Sequence, residues 1–293
     1  MVWTRSHLAA ILFLVGALLV VTGVVGRYVI FPMVERMPAN HEHTIGFEGT
    51  ADRMDEKTRQ VIHTDVKATR IQKAIGHFDN VLMIQEVMFF QDAKTGAYLP
   101  EMNQYRELAV QRYTRNMVPE YGDMSRTGCF SFPAYISKKS YYMGNYDLIG
   151  QPLEMKFVEE KRYEGLRVFV FETHAQDVPI TNPPAALPAG MEATFSIDAI
   201  FWVEPVSGAT VHEENVASIK VSVPRMGDIE AERVALKFDK QTEEHYLNVG
   251  RHNKARLIWY RRYLTFSGIF AGLALWAGGL TSHFWRRDLP EDI

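Results

Sequence analysis

The chain has a single cysteine, Cys129, so an intrachain disulfide is excluded. That is neutral about compartment, because a domain with a large enough core needs no disulfide. A strong charge of either sign is also missing. The 32 Lys and Arg against 35 Asp and Glu leave a net charge of −3, which excludes the basic field of a nucleic-acid binder. Nucleophile signatures of the G-x-S-x-G and S-x-x-K types are absent, as is any glycine-rich phosphate loop. The chain is therefore expected not to be an enzyme and to need no cofactor.

Two long runs almost without charge are present. Leu8 to Gly26 reads LAAILFLVGALLVVTGVVG, with Arg5 before it and Arg27 closing it. About 19 apolar and small residues suffice for a helix to cross a bilayer core. The run exceeds a signal-peptide h-region, Val24-Val25-Gly26 is a poor cleavage site, and apolar character resumes over Tyr28 to Phe31; retention as an anchor is expected. A second run spans Leu264 to Trp285. The expected organisation is an N-terminal end and span over 1–31, a β-rich domain over 32–240, a juxtamembrane helix over 241–262, a second span over 263–285 and a tail over 286–293.

Between the spans the pattern is mostly period-two. Pro38 marks the exit from the first helix. Strands are expected over His41 to Thr50, Val61 to Ile71, Val81 to Phe90, Tyr105 to Val110 and Gly128 to Phe132. Asp52 to Arg59 reads as a charged turn, and Asp92 to Gly96 as another. Leu153 to Val158 and Leu166 to Phe171 are expected to pair across Tyr163-Glu164-Gly165. Thr194 to Val203 and Val216 to Val223 follow, separated by the turn signal Glu204 to Gly208. Pro179 to Pro188 is a proline-rich loop. Val234, Leu236 and Phe238 alternate, Asp239 is placed to cap a helix, and from Gln241 the pattern is helical, with Gly250 as a site for a kink. The fold class is mainly β (α+β): an antiparallel domain flanked by two transmembrane helices.

Arg256, Arg261 and Arg262 crowd the entry to the second span, with Trp259, Tyr260 and Tyr263 among them; Arg27 plays the same part in the first span, and Arg286 and Arg287 close the chain's far end. Such mixtures meet headgroups at a membrane interface. Gly268 and Gly272 form a GxxxG that permits close helix approach. A dimer contact, packing of the chain's own two spans, and chance spacing all fit it.

Candidate reactive groups favour structural roles. His41 and His43 share a strand face, but no third metal ligand stands near; a solvated strand is expected. Glu159-Glu160 and Glu213-Glu214 point alternately to opposite faces, one carboxylate of each doublet exposed and one paired. Cys129 reads as an inert buried thiol, Trp202 as core and Glu204 as a turn residue.

Taken in order, Phe132-Pro133, Lys138-Lys139-Ser140-Tyr141, Tyr146-Asp147, Pro152-Leu153, Glu159-Glu160, Tyr163-Glu-Gly-Leu-Arg-Val-Phe-Val-Phe171 and Phe201-Trp-Val-Glu-Pro205 with Gly208 resemble the porin PorA family, envelope proteins best known from actinobacteria. The resemblance covers essentially the whole chain. It implies a β-rich middle between two spans. Charge alone leaves orientation even, since long domains translocate regardless of flanking residues. The resemblance implies a cell-membrane protein with an extracytoplasmic domain and both termini cytoplasmic. A membrane-spanning barrel fits poorly, because the strands carry Lys156, Glu159 and Arg167 where a lipid-facing band would lie. The plan is similar to that of class B scavenger receptors, whose outer domain conducts lipid; fold alone does not fix function. The leading reading is therefore an envelope protein that binds or transfers a lipid, glycolipid or other apolar ligand within its β domain. The alternative is an accessory subunit held among other membrane proteins by its helices and outer face. A hydrolase comes third. The bilayer is a partner in all three readings, and nucleic acid in none.

Overall fold

The computed structural model describes residues 5–55, 60–144, 146–182, 191–223 and 227–284. The chain forms two compact units, Met37–His252 and the paired termini Met1–Arg36 with Asn253–Ile293. It is mainly antiparallel β with two terminal helices long and apolar enough to cross a membrane.

The β unit is one 11-stranded sheet. Its strands are β1 (Glu42–Met54), β2 (Val61–Phe78), β3 (Val81–Asp92), β4 (Gln104–Gln111), β5 (Met117–Gly122), β6 (Tyr141–Met143), β7 (Leu153–Tyr163), β8 (Leu166–Pro179), β9 (Ala193–Val203), β10 (Thr210–Val223) and β11 (Gly227–Phe238). The order is β5-β4-β3-β2-β1-β11-β10-β9-β8-β7-β6. Two meanders therefore grow outward from a central pair, the first strand against the last. β1 and β11 run antiparallel from Phe47↔Phe238 to Arg53↔Glu232. At Gly49 a Cβ would lie 1.8 Å from the Ala235 carbonyl oxygen, so only glycine permits this close crossing.

The two outer strands do not end in open edges throughout. Gly128 to Phe130, expected as a strand, is instead a clasp between them. Its backbone joins Met117 and Arg115 on one side and Tyr142 and Gly144 on the other, at 2.6–3.1 Å. Through this clasp the sheet closes on itself, which answers backbone groups that an open edge would leave unpaired. Pro119 in β5 blunts what remains of that edge.

Three further expectations need correction. β10 begins at Thr210, six residues before Val216, because Val211 and Glu213 continue the inward-facing alternation. β1 continues through Asp52 to Met54, where a turn was expected; the rest of that turn and most of the proline-rich loop lie outside the described residues. Gly250 makes no kink. It lies within helix α3 (Lys240–Ile258), where the absent side chain lets the helix lie close to Leu166 and Val211; a Cβ there would be 3.3 Å from each. β5 and β6 were not anticipated, being short and irregular.

Asp239 caps α3 as expected: Thr242 N–H donates to its carboxylate at 2.7 Å. The inner face of α3 then closes one end of the barrel. Thr242 Oγ1 accepts the Gly46 N–H at 2.8 Å, Tyr246 packs on Phe238, and Leu247 joins Leu166, Val168 and Val211.

In the other unit, α1 (Arg5–Val25) passes through a π-helical turn, Gly26–Ile30, into α2 (Phe31–Glu35). After α3, a second π turn, Trp259–Leu264, leads into α4 (Thr265–Phe284). α1 and α4 pack side by side, glycine against glycine. A Cβ on Gly272 would lie 2.5 Å from the Gly16 carbonyl, and one on Gly268 would lie 2.9 Å from that of Leu19. The GxxxG thus serves contact between the chain's own two helices. Trp276 adds an indole hydrogen bond to the Phe13 carbonyl at 3.0 Å.

Gly272→Leu is expected to force the helices apart and cost about 1–3 kcal/mol, the usual penalty for overpacking. Gly278→Leu, where an added Cβ meets nothing within 4 Å, is the control. Thermal unfolding of the detergent-solubilised full chain should separate the two.

Candidate functional site

Alternation decides which side chains enter the barrel. On β3, Leu82, Ile84, Glu86 and Phe90 are buried while Phe89 is exposed. Register carries the same face to Ala68, Arg70 and Gln72 on β2 and to Arg106, Leu108 and Val110 on β4. On the other meander the inward face holds Phe195, Ile197, Ala199 and Phe201 of β9, with Phe171 of β8 and Met155 of β7. The interior holds several apolar clusters. One centres on Phe47, Phe90 and Phe238, another joins Leu82, Ile84, Leu108 and Val110, and a third is aromatic, with Phe132 4.8 Å from Phe171.

A belt of charge accompanies them. Arg70 on β2 donates to Glu213 on β10 at 2.9 Å. Glu86 accepts from Gln72 at 2.7 Å and from Arg106 at 3.0 Å. Arg106 also reaches Asp147 at 2.7 Å. Arg126 grips Asp147 with two nitrogens, at 2.6 and 3.0 Å, and pairs with Asp123 as well. Asp147 stands in a short 3₁₀ turn, Asp147–Ile149, and Arg126 just beyond β5. The chain thus ties β2, β3 and β4 to the segments on both sides of the clasp. Arg126 is 6% exposed at its side chain and Glu86 4%, so these groups have little water to fall back on.

The electrostatics follow from that geometry. Burial opposes charge on Arg126, but the carboxylates of Asp147 and Asp123 outweigh it and raise its pKa. Burial likewise opposes charge on Arg70, and Glu213 and Glu86 reverse the balance. Tyr146, buried near Glu213, is pushed up by burial first and by that carboxylate second. Beside Arg126, Tyr146 and Asp147 lies a cleft of about 20 Å³, room for roughly one water.

A second cluster stands where the β unit begins. The His41 and His43 rings lie 4.4 Å apart, tilted at 49°, and Tyr246 Oη lies 3.0 Å from His43 Nδ1. The pair is not a solvated strand: His41 is buried just before β1. Burial, with His43 beside it, lowers the His41 pKa to about 4, and His43 is lowered by burial and by His245. Among the described residues no group of three or more His, Cys, Asp or Glu is placed to hold a metal.

The remaining candidates do not gather into one site. Glu213 is buried and paired while Glu214 is exposed. Glu160 pairs with Arg167 and Lys138, which hold it down to about 2. Burial raises the Cys129 thiol to about 11. Trp202 is half-buried: it packs against the Leu166, Val168, Val211 and Leu247 cluster, with Lys161 over its ring at 3.3 Å and His212 stacked on it at 4.1 Å. Glu204 is fully buried, and its carboxylate accepts the Val206 and Ser207 N–H groups of its turn. At the helical unit, Trp259, Arg256, Arg262 and Tyr263 are exposed, Tyr260 is half-buried, and Arg27 and Arg261 both stand over the Phe31 ring. Arg286 and Arg287 lie outside the described residues.

A closed antiparallel barrel with a packed interior, in a chain that also has two paired membrane-length helices, fits a membrane envelope protein. The chain belongs to the porin PorA family: the family model described as Porin PorA matches residues 8–281, nearly the whole chain. No curated protein matches it.

Two outcomes test the interior. Arg126→Leu removes the partner of Asp123 and one of the two guanidinium groups on Asp147, which keeps Arg106, and is expected to cost about 3 kcal/mol, the lower end for a broken buried pair. Arg167→Leu, which breaks an exposed pair, should cost less than about 1 kcal/mol. Denaturation midpoints decide. For His41 the folded pKa lies below the unfolded value of 6.5, so the unfolded chain binds more protons between pH 6.5 and about 4. Stability should fall as pH drops through that window, by on the order of 3 kcal/mol. His41→Gln should flatten the fall; an unchanged pH profile would remove His41 from the account.

Proposed function

We propose that this porin PorA family member is an accessory or structural subunit of a membrane assembly in the cell envelope, without catalysis of its own. One observation carries the reading. The outer face of β2–β5 bears Ile71, Phe78, Met83, Val87, Phe89 and Tyr105 on outward register positions, with Tyr121 packed on Phe78 and Ile75 exposed at the β2 bulge. Of these, Ile75 is 51% exposed, Phe78 40%, Phe89 37%, Tyr105 56% and Tyr121 48%. The opposite outer face, over β1 and β9–β11, presents Glu48, Asp198, Glu214, Lys220 and Lys237 instead. Lys67, Lys73, Gln85 and Glu107 stand among the apolar residues of the β2–β5 face, so that surface is a mixed, aromatic-rich one with Phe78 packed on Tyr121, of the kind that suits contact with another protein.

The packed interior supports the same reading. Phe47, Phe132, Phe171, Leu82, Ile84 and Met155 are essentially inaccessible, and the carboxylates of the charged belt are each engaged by a guanidinium. A membrane pore is disfavoured, since the outward charges of β1 and β9–β11 have no place against lipid tails.

Carriage of a lipid within the barrel is the second reading. Its support is the aromatic cluster of the interior, Phe132, Phe171, Phe195 and Phe201, which would have to part to admit an acyl chain. The domain's extracytoplasmic placement, with both termini inside, goes with either reading.

Native mass spectrometry of the full chain, gently extracted from its own membrane, separates them. The subunit reading expects a protein partner at fixed stoichiometry that is lost in Phe89→Lys/Tyr105→Lys while the melting temperature holds. Bound lipid at fixed stoichiometry and no partner would overturn it in favour of carriage.

A further inference from the structure

Charge is unevenly placed along this chain. In the β unit, residues 37–252, acidic side chains outnumber basic ones. In the two short stretches that join the apolar helices to it, residues 27–36 and 253–264, the balance reverses. Arg27, Arg36, Lys254, Arg256, Arg261 and Arg262 stand against Glu35 alone. These stretches include both π-helical turns, which lie against each other, Gly26 meeting Leu264; a Cβ there would be 3.1 Å from the leucine side chain.

The two helices bring their cations together on one ring. Phe31 is buried, at 5% exposure. The Arg27 guanidinium lies 5.3 Å from its centre, and the Arg261 guanidinium 6.0 Å from the same centre. A guanidinium over a ring is drawn there by the negative face of the ring, which gathers positive charge at that point. Arg256 and Arg262 are exposed nearby in sequence, as are the aromatic side chains of Tyr28, Trp259 and Tyr263, at 75%, 51% and 64%. Such aromatics hold a helix pair at headgroup depth.

We propose that this collar is a binding site for anionic phospholipid headgroups, with Arg27 and Arg261 as its centre and the lipid phosphodiester as the group recognised. A guanidinium fork matches two phosphate oxygens. A zwitterionic headgroup brings its own cation and gains little from a collar already rich in positive charge. An anionic headgroup neutralises that excess. The site belongs to the leaflet on the side where the spans lead to the β unit. It does not depend on the subunit reading above, because it lies wholly in the helical unit and takes lipid from outside the barrel.

The test uses the full chain in nanodiscs of equal parts phosphatidylglycerol and phosphatidylcholine, followed by native mass spectrometry after transfer to mild detergent. Retained lipid should be mainly phosphatidylglycerol, and high salt during transfer should weaken the enrichment. Arg27→Gln/Arg261→Gln should reduce the preference roughly tenfold or more, at about 1 kcal/mol per basic residue. Should that pair disturb packing around Phe31, Arg256→Gln/Arg262→Gln, at exposed positions, should reduce it in the same direction. Equal retention of the two lipids by the unaltered protein overturns the proposal. So does an undiminished preference in a folded double variant, or an acidic protein occupying the collar in place of lipid. Loss of the protein partner at the β2–β5 face leaves the lipid ratio unchanged and bears only on the subunit reading.

Discussion

The pairing of β1 with β11 is the constraint on which the rest depends. The domain brings its own first and last strands together, hydrogen-bonded with Phe47 opposite Phe238 and Arg53 opposite Glu232. Every other strand is then added to one of two arms, β2 to β5 on one side and β10 to β6 on the other. Each arm is a local meander, but the central ladder closes a loop of nearly two hundred residues, so its ordering cost is met only when both arms are packed. The glycine at position 49 belongs to this ladder, since any side chain would collide with the Ala235 carbonyl.

Two arms growing from one ladder leave two free edges, and the barrel exists because they meet. Cys129 and its neighbours supply backbone hydrogen bonds to both. Backbone bonds over three residues are a thin seam for so large a sheet. The charged belt reinforces it: Asp147, from the segment after β6, is held by Arg106 of β4 and by Arg126, which follows β5. Buried ion pairs contribute little net stability against an apolar alternative. What they contribute is selectivity of register, because a one-residue slip of β3 or β4 would turn Glu86 and Arg106 outward and leave their partners buried alone.

Much of this was legible in the sequence, and the illegible part has a physical reason. The two apolar helices declare themselves by length, and long strands such as β2, β3 and β8 by alternation. β10 was read short because His212, Glu213 and Glu214 look like a polar loop until Glu213 is given an inward partner, Arg70. The clasp was misread as a strand because Gly128 to Phe132 has strand composition, whereas its role is fixed by two neighbours distant in the chain. For the charged belt a signal did exist: Glu86 interrupts the apolar run from Val81 to Phe90 at an inward position, and Arg106 interrupts β4 likewise. A charge at a core parity position asks for a partner. Identifying that partner as Asp147 required the closure that local pattern does not encode. Trp202 lies between core and surface: its parity is outward, yet it packs against the Leu166 and Leu247 cluster while Lys161 covers its other side.

The distribution of apolar surface then bears on function more directly than the fold does. A protein that carried lipid inside its barrel would be served by an interior free of charge and by small or mobile side chains along a path. Here the interior is split between aromatic packing and a belt of paired charge, and the unpaired apolar surface lies outside, on β2 to β5. Burying charged pairs while exposing Phe89, Tyr105 and Tyr121 is the arrangement expected when specificity of the barrel's own closure is achieved within and association is achieved without. The two helices repeat the division. Their facing sides are glycine-lined and used up on each other, while Leu14, Leu18, Phe266 and Phe270 point outward. Contacts that fix the chain's own architecture are thus separated, in both units, from the surfaces left for a bilayer or a partner.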